Sequence, residues 1–168
     1  MNKYRTHNCA QLREGEINKK VVLSGWIHRK RDHGNLLFID LRDHYGVTQC
    51  VIENNNKFFP IIEKLKSESV IKVEGEVVLR SGGTENKDLE TGKIEVQIQS
   101  LQVLSEAKEL PLPVFGEQDY PEDVRLKYRF LDLRREEIHQ NIILRSKVIS
   151  FIRLEMQKLG FLEYQTPI

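Results

Sequence analysis

Five segments of this chain alternate apolar and polar residues as strands do, and one helical segment interrupts them. The strand-like segments are residues 21–28, 36–41, 47–52, 69–80 and 94–104. Between the third and the fourth, apolar residues from Phe58 to Leu65 recur at helical spacing and predict a short amphipathic helix over residues 58–67. Short polar turns join the first three strands into a predicted meander.

This order of elements is typical of a mainly β protein that closes into a small barrel. Five strands with one helix between the third and the fourth is the plan of the OB-fold. We therefore predict a five-stranded OB-fold barrel with an inter-strand helix over residues 1–108.

The composition changes after the predicted barrel. Prolines recur between residues 111 and 121 and predict a linker, because proline holds its preceding residue in extended backbone. We assign residues 109–135 to a hinge or linker, with a helix over 122–135, and residues 136–168 to the start of a second domain.

The start of that second domain is predicted to be one long helix over residues 136–159, which Gly160 ends. A strand over 161–165 is predicted to follow. The helix carries a broad apolar stripe: Ile138, Ile142, Ile149, Ile152, Met156 and Leu159, widened by Leu144, Val148 and Phe151. So wide a stripe indicates that further chain or a partner covers the helix.

Charge and cysteine content restrict the function classes. The net charge of +1 gives no general attraction for nucleic acid, so any such site depends on local arrangement. The basic cluster at residues 28–33 is either a solvated strand end or a local contact of this kind. Cys9 and Cys50 have no metal-ligand spacing and are predicted to be free thiols. With no signal peptide and no apolar run of the roughly 20 residues that span a bilayer, we expect a cytoplasmic protein without metal or membrane partners.

One aromatic side chain faces the wrong way for a core residue. The strand period of two places Leu37 and Ile39 on the core face and leaves Phe38 outside. Phe38 either covers a linker or the inter-strand helix, or it is a platform for an unpaired base, a contact that contributes roughly 1–3 kcal/mol.

Polar residues accompany Phe38 on the predicted outer surface. Arg29 and Arg31 end the first strand beside it and can contact phosphate or a base plane. Glu95 points outward from the fifth strand, where a carboxylate is useful only against donor groups on base edges. The orientation of Gln49 stays open, because both faces of its strand are apolar.

These residues lie in motifs that resemble a known family. Three segments resemble the anticodon-binding domain of class II synthetases of the aspartate, asparagine and lysine group: GWIHRKRD at 25–32, FIDLRD at 38–43 and GVTQ at 46–49. RLKYRFLDLRR at 125–135 is very similar to the hinge of bacterial-type aspartyl-tRNA synthetases. GFLEYQTP at 160–167 resembles class II motif 1, the helix and strand that build the dimer interface. The resemblance covers nearly the whole chain, in the family's order.

The resemblance implies a set of anticodon-binding residues: Arg29, Arg31, His33, Phe38, Gln49, Arg80 and Glu95. Phe38 would stack on the middle anticodon base, a uridine, and Gln49 would hydrogen-bond that base. Glu95 would read a base edge at an outer position, while Arg29 and Arg31 would hold the loop.

Two features concern the specificity that the resemblance implies. His33-Gly34 and Gly82-Gly83 resemble family members that charge both tRNA(Asp) and tRNA(Asn), whose anticodons differ in the third letter. His33 would donate to either third-letter base; the alternative is an ordinary turn histidine. Val78 stands where a relative can carry a basic residue, which leaves phosphate contacts at that position open.

For the whole protein, the resemblance implies an ATP-dependent aspartate–tRNA ligase that uses Mg²⁺ and works as a homodimer. Motifs 2 and 3, which carry the arginines that bind ATP, are outside this chain, so we expect it to hold no cofactor and to be inactive alone. Its tRNA partners would be tRNA(Asp) and, in the relaxed form, tRNA(Asn), with no DNA. The dimer interface would include Ile142, Ile149, Ile152, Met156 and Pro167. A general single-strand-binding OB protein and an OB interaction scaffold are the alternatives.

Overall fold

The computed structural model describes residues 3–116, 120–165 and 167. The chain divides into two compact units, Met1–Glu109 and Leu110–Ile168. The first unit contains a short 3₁₀ turn at Glu14–Glu16, strands β1 (Lys20–Asp32), β2 (Leu36–Arg42) and β3 (Val47–Glu53), helix α1 (Phe59–Lys64), and strands β4 (Val70–Leu79) and β5 (Ile94–Ser105). A boundary near residue 135, inside the second unit, stays a prediction.

The five strands form a closed barrel in the order β1-β2-β3-β5-β4. Neighbouring strands are antiparallel except β3 and β5, which pair in parallel through Cys50 and Val51. Because the barrel is closed, each of its five strands has a hydrogen-bonded neighbour on both sides. The predicted mainly β OB-fold is confirmed, and α1 lies between β3 and β4 as the sequence predicts.

The barrel interior is a continuous apolar core. The predicted inward faces of β2 and β5 are confirmed, with Leu37, Ile39, Leu41, Ile94, Val96 and Ile98 all buried. Helix α1 is shorter than predicted, six residues against ten, and adds Ile62 to this core. Asn56 precedes the helix, and its side-chain oxygen accepts a hydrogen bond from the Phe58 amide at 3.0 Å.

Both cysteines lie in the same core. Cys9 and Cys50 are fully buried and free, as predicted. Burial raises the pKa of each thiol above its ordinary value, and the Asp43 carboxylate adds to this effect at Cys9. The two thiols therefore behave as small apolar side chains.

Strand β1 changes its partner halfway along. Its first half, residues 20–26, pairs with β4, and its second half, residues 26–32, pairs with β2. Gly25 lies at this change, where a Cβ atom would come within 2.3 Å of the Arg42 backbone oxygen. Only glycine lets the two backbones approach so closely.

The second unit contains α2 (Glu122–Lys127), α3 (Arg129–Asp132) and α4 (Glu136–Lys158). The single helix predicted over residues 122–135 is wrong, because Tyr128 leaves helical geometry with φ −110° and ψ 41°. A small apolar cluster holds the unit together through Leu112, Val114 and Leu131.

A buried carboxylate lies at the centre of the segment between α2 and α4. Asp132 is fully buried and accepts from Arg125 at 3.1 Å and from Arg129 at 2.5 Å, with Arg135 at 3.7 Å. Asp132 lies seven residues after Arg125, three after Arg129 and three before Arg135, so all three cations reach it from the same side of the chain. These charge-assisted contacts compensate the burial of the carboxylate.

Helix α4 matches its predicted bounds closely and ends before Gly160, which has φ +87°. None of its residues is buried, and its apolar stripe is largely exposed. The strand predicted over residues 161–165 is wrong, since these residues have irregular backbone. Among the described residues, no helix combines the length and the apolar character needed to cross a membrane.

Candidate nucleic-acid interface

A cleft of about 330 Å³ opens on the outer surface of the barrel. It is lined by Arg31, His33, Leu36, Phe38, Asp40, Gln49, Arg80, Ser81, Thr84, Asn86, Leu89 and Glu95. Six of the seven residues that the sequence analysis proposed for base recognition therefore lie together. The seventh, Arg29, is exposed and lies outside this lining.

A β-bulge decides which side chains of β1 reach the cleft. Ile27 lies opposite Leu41, but one residue is extra before Arg29, which lies opposite Asp40. Strict alternation from the core residue Ile27 would turn Arg29 and Arg31 into the barrel. The bulge inverts the alternation and places them on the outer face.

Neighbouring residues of the basic cluster at 28–33 therefore face opposite sides of β1 and make different contacts. Arg31 lies opposite Phe38 in the cleft. Lys30 points the other way and donates to the carbonyl oxygens of Ile62 at 3.2 Å and Glu63 at 2.7 Å. Both carbonyls belong to the last turn of α1, and that of Ile62 also accepts from the Leu65 amide at 3.1 Å, so Lys30 binds the C-terminal end of that helix.

Four side chains form a continuous hydrogen-bonded chain across the cleft floor. The Arg31 Nη2 group donates to Asp40 Oδ1 at 2.8 Å and to Gln49 Oε1 at 3.0 Å. Gln49 Nε2 then donates to Glu95 Oε2 at 2.6 Å. We call Arg31, Asp40, Gln49 and Glu95 the polar network. It settles the open orientation of Gln49, whose side chain faces the cleft.

Arg80 supplies a donor that the protein leaves unused. Its Nε group donates to the Ile94 carbonyl oxygen at 3.0 Å, and only 9% of the residue is exposed. Its Nη2 group is buried and has no hydrogen-bond partner within the described part of the chain. Burial lowers the pKa of the guanidinium, while the Glu95 and Asp40 carboxylates act in the opposite direction. A buried donor without an acceptor destabilises the folded protein unless a ligand accepts its hydrogen bond.

An aromatic pair forms the upper wall of the cleft. Phe38 is half-buried, and the His33 ring meets it edge-on, with the centroids 5.4 Å apart and the planes at 89°. This geometry is favourable for aromatic rings. It also holds the Phe38 ring in place as a flat apolar surface.

Sequence reasoning missed several lining residues. Asp40 lies two residues after Phe38 on the same strand face, and that spacing was the available signal. Leu36, Ser81, Thr84, Asn86 and Leu89 also line the cleft. The last four belong to the loop between β4 and β5, where no periodic pattern indicates which residues turn inward.

The cleft combines one flat apolar surface with donors and acceptors at fixed positions. A purely electrostatic groove would offer cations alone, whereas this one also contains the Glu95 and Asp40 carboxylates. Carboxylates repel phosphate but accept from amino and imino groups on base edges. The arrangement therefore suits the recognition of particular unpaired bases.

The residues proposed for a dimer interface lie in the second unit. Ile142, Ile149, Ile152 and Met156 are 38–54% exposed on α4. Pro167 is also exposed, beyond the helix.

Two family models match the chain. The model described as OB-fold nucleic acid binding domain matches residues 21–104, which is half of the chain and includes all seven proposed base-recognition residues. The model described as tRNA synthetases class II (D, K and N) matches residues 121–168.

Curated relatives match from the first residue to the last. The chain is 66% identical to an Aspartate–tRNA(Asp/Asn) ligase from Pelagibacter ubique (strain HTCC1062), over 100% of this chain and 28% of that protein. It is 62% identical, over the same shares, to the ligase of the same name from Phenylobacterium zucineum (strain HLK1). The chain thus spans a little over a quarter of the length of these relatives.

Solved structures are similar in fold. The asparaginyl-tRNA synthetase from Pyrococcus horikoshii complexed with asparaginyl-adenylate aligns with a TM-score of 0.82 and 29% identity. The alignment covers 96% of this chain and 36% of that one.

Proposed function

The chain belongs to the aspartyl-tRNA synthetase family, and on this premise we propose that its barrel binds the anticodon loop of tRNA(Asp). The cleft would take unpaired bases of that loop, with the middle base stacked on Phe38. Gln49 and Glu95 would read base edges, and Arg31 and Arg80 would hold the bases and the backbone of the loop.

One observation carries this proposal. An aromatic face, an orphan guanidinium donor and a polar network that ends in a carboxylate meet in one cleft of the barrel. Base stacking supplies affinity without regard to sequence, whereas fixed donors and acceptors distinguish the bases. A reader of a defined three-base loop needs both.

The proposal extends to the whole protein that contains this chain. We propose that it attaches aspartate to tRNA with ATP and Mg²⁺ in the cytoplasm, as a homodimer. The resemblance places the ATP-binding motifs outside these residues, so the chain alone would not form aspartyl-adenylate. An ATP–pyrophosphate exchange assay on the chain tests that point, and any aspartate-dependent exchange contradicts it.

Binding to an anticodon stem-loop tests the proposed reader. Fluorescence anisotropy with a labelled tRNA(Asp) anticodon stem-loop should show tighter binding than with a loop of scrambled sequence. Replacing Phe38 with alanine should weaken binding to the cognate loop by about 1–3 kcal/mol, because one base loses its stacking partner. Tyr45→Ala is the matched control, since Tyr45 is a 58% exposed aromatic residue of the same barrel outside the cleft lining.

The alternatives give different results in the same assay. Equal affinity for both loops would indicate a general single-strand-binding protein. No affinity for either loop would indicate an interaction scaffold. An equal loss in Phe38→Ala and Tyr45→Ala would show that Phe38 has no special place in binding.

A further inference from the structure

We propose that Asp40 is a positioning residue that fixes the amide of Gln49 in one orientation and thereby makes the cleft select uracil over cytosine. This inference rests on the proposed function and assigns a task to a residue that only lines the cleft in that account. It follows from which atoms of the polar network can donate and which can accept.

The orientation of the Gln49 amide is determined by its neighbours. A guanidinium can only donate hydrogen bonds, and a carboxylate can only accept them. The Gln49 oxygen must therefore face Arg31, 3.0 Å away, and its NH₂ group must face Glu95, 2.6 Å away. Turning the amide by 180° would set N–H against N–H at one end and oxygen against oxygen at the other, and both bonds would be lost.

Asp40 is what keeps the Arg31 end of this arrangement in place. The Arg31 side chain is 47% exposed and long, so it has many other conformations available. Asp40 lies directly opposite Gln49 on the neighbouring strand, and its side chain is 12% exposed. The Nη2 group has two hydrogens, and they go to Asp40 and to Gln49. Asp40 thus aims the second hydrogen at the Gln49 oxygen.

The fixed amide has one donor and one acceptor left for a ligand. Its NH₂ group has a second hydrogen, and its oxygen has a second lone pair. Uracil offers a complementary pair along its pairing edge, an imino N–H donor beside a carbonyl acceptor. Cytosine offers the reverse pair, a ring nitrogen acceptor beside an amino donor. A freely turning amide would match both bases, so the discrimination comes from the network that prevents the turn.

Binding of two stem-loops that differ only in the middle anticodon letter tests this inference. The unchanged chain should bind the uridine loop at least about tenfold more tightly than the cytidine loop. In Asp40→Val only Glu95 still holds the amide firmly, so turning it costs one bond instead of two; the ratio should fall to about threefold or less, with affinity for the cytidine loop rising. A purely structural defect would weaken both loops and would not strengthen either.

Two further variants make the test specific. Asp40→Asn retains an oxygen acceptor for Arg31 and should keep the uridine preference within about threefold of the unchanged ratio. Glu74→Val is the control, because Glu74 is also an ion-paired strand carboxylate, 2.9 Å from Lys72, but lies outside the cleft lining. It should leave the ratio unchanged.

A variant at the other end of the network covers the case in which Asp40→Val does not fold. Glu95→Gln can donate to Gln49 or accept from it, so it no longer favours one amide orientation. It too should raise the relative affinity for the cytidine loop.

The outcomes separate this inference from the proposed function. If the unchanged chain prefers the cognate loop over a scrambled loop but folded Asp40→Val and Glu95→Gln keep the full uridine preference, the inference is overturned and the proposed function stands. Loss of the preference in Asp40→Asn would also overturn the hydrogen-bond basis. If the unchanged chain does not distinguish the cognate from the scrambled loop, the proposed function itself fails.

Discussion

At the scale of single residues, the candidate interface depends on side-chain directions that the backbone sets. The bulge before Arg29 turns Arg31 outward, and the network then fixes that side chain against Asp40 and Gln49. Few of these side chains have to change conformation when a ligand binds, and the orphan Nη2 group of Arg80 needs only an acceptor. A site organised in this way loses less entropy on binding than one built from free side chains.

His33 is the residue on which third-letter specificity is proposed to depend. Its ring lies edge-on to Phe38, 5.4 Å away, so it borders any base stacked there. If His33 donates to a group shared by both pyrimidines, stem-loops whose third anticodon letter is cytidine or uridine should bind the unchanged chain almost equally. His33→Ala should weaken both by about 0.5–1.5 kcal/mol, the contribution of one hydrogen bond.

The measurement is anisotropy with two stem-loops that differ only in the third anticodon letter. His44→Ala is the matched control, because His44 is an exposed turn histidine that lies outside the cleft lining. If His33→Ala and His44→Ala behave alike, His33 is an ordinary turn residue.

Sequence reasoning at this scale found residue types but not their bonds. The strand period of two predicts that Phe38 and Glu95 face outward, because the residues on either side of each are apolar core residues. The position of Gln49 could not follow from the pattern, since both faces of β3 are apolar and the contact with Glu95 joins residues 46 positions apart. The period of two places Asp40 on the outer face with Phe38, but its bond to Arg31 could not be predicted, because Arg31 lies on another strand.

At the scale of elements, the barrel contains a close approach of two backbones at Gly25. β1 can pair with both β4 and β2 only because Gly25 lets its backbone pass close to Arg42. Gly25→Ala would set a Cβ atom 2.3 Å from a backbone oxygen, which is not a flexible group that can move aside. We expect a loss of about 1–3 kcal/mol in the free energy of unfolding, the usual effect of overpacking.

Chemical denaturation followed by Trp26 fluorescence measures this loss. Gly15→Ala is the control, since a Cβ atom there has nothing within 4 Å and Gly15 does not have positive φ. Equal stability of the two variants would show that β1 tolerates the change and that the close approach is not required.

The elements themselves were largely predictable, with two exceptions in the second unit. The barrel strands have clear periodic patterns, and α4 is a long run without proline or glycine that ends at Gly160. The break at Tyr128 lies inside a segment whose residue pattern is helical, so the sequence does not indicate it. Residues 161–165 alternate like a strand but have no strand beside them in the described structure. A strand needs a hydrogen-bonding neighbour as well as a pattern.

At the scale of the whole molecule, the two units differ in how well they bury apolar surface. The barrel has a closed core, whereas α4 exposes Phe151 at 63% and Ile152 at 54%. An apolar face of this width favours association with another protein surface. In the proposed homodimer, that surface belongs to a second copy.

The chain should therefore self-associate in solution through α4. Replacing Ile149 and Ile152 together with glutamate would bring two charges into the interface and should shift the population toward monomer. Size-exclusion chromatography with light scattering over a range of concentrations gives the mass of each species.

Lys147→Glu is the control, because it changes the net charge by the same amount from a position about 200° around the helix from Ile149. A monomer at every concentration for the unchanged chain would mean that α4 does not associate with itself, and a monomeric shift in Lys147→Glu would point to charge rather than to the apolar stripe.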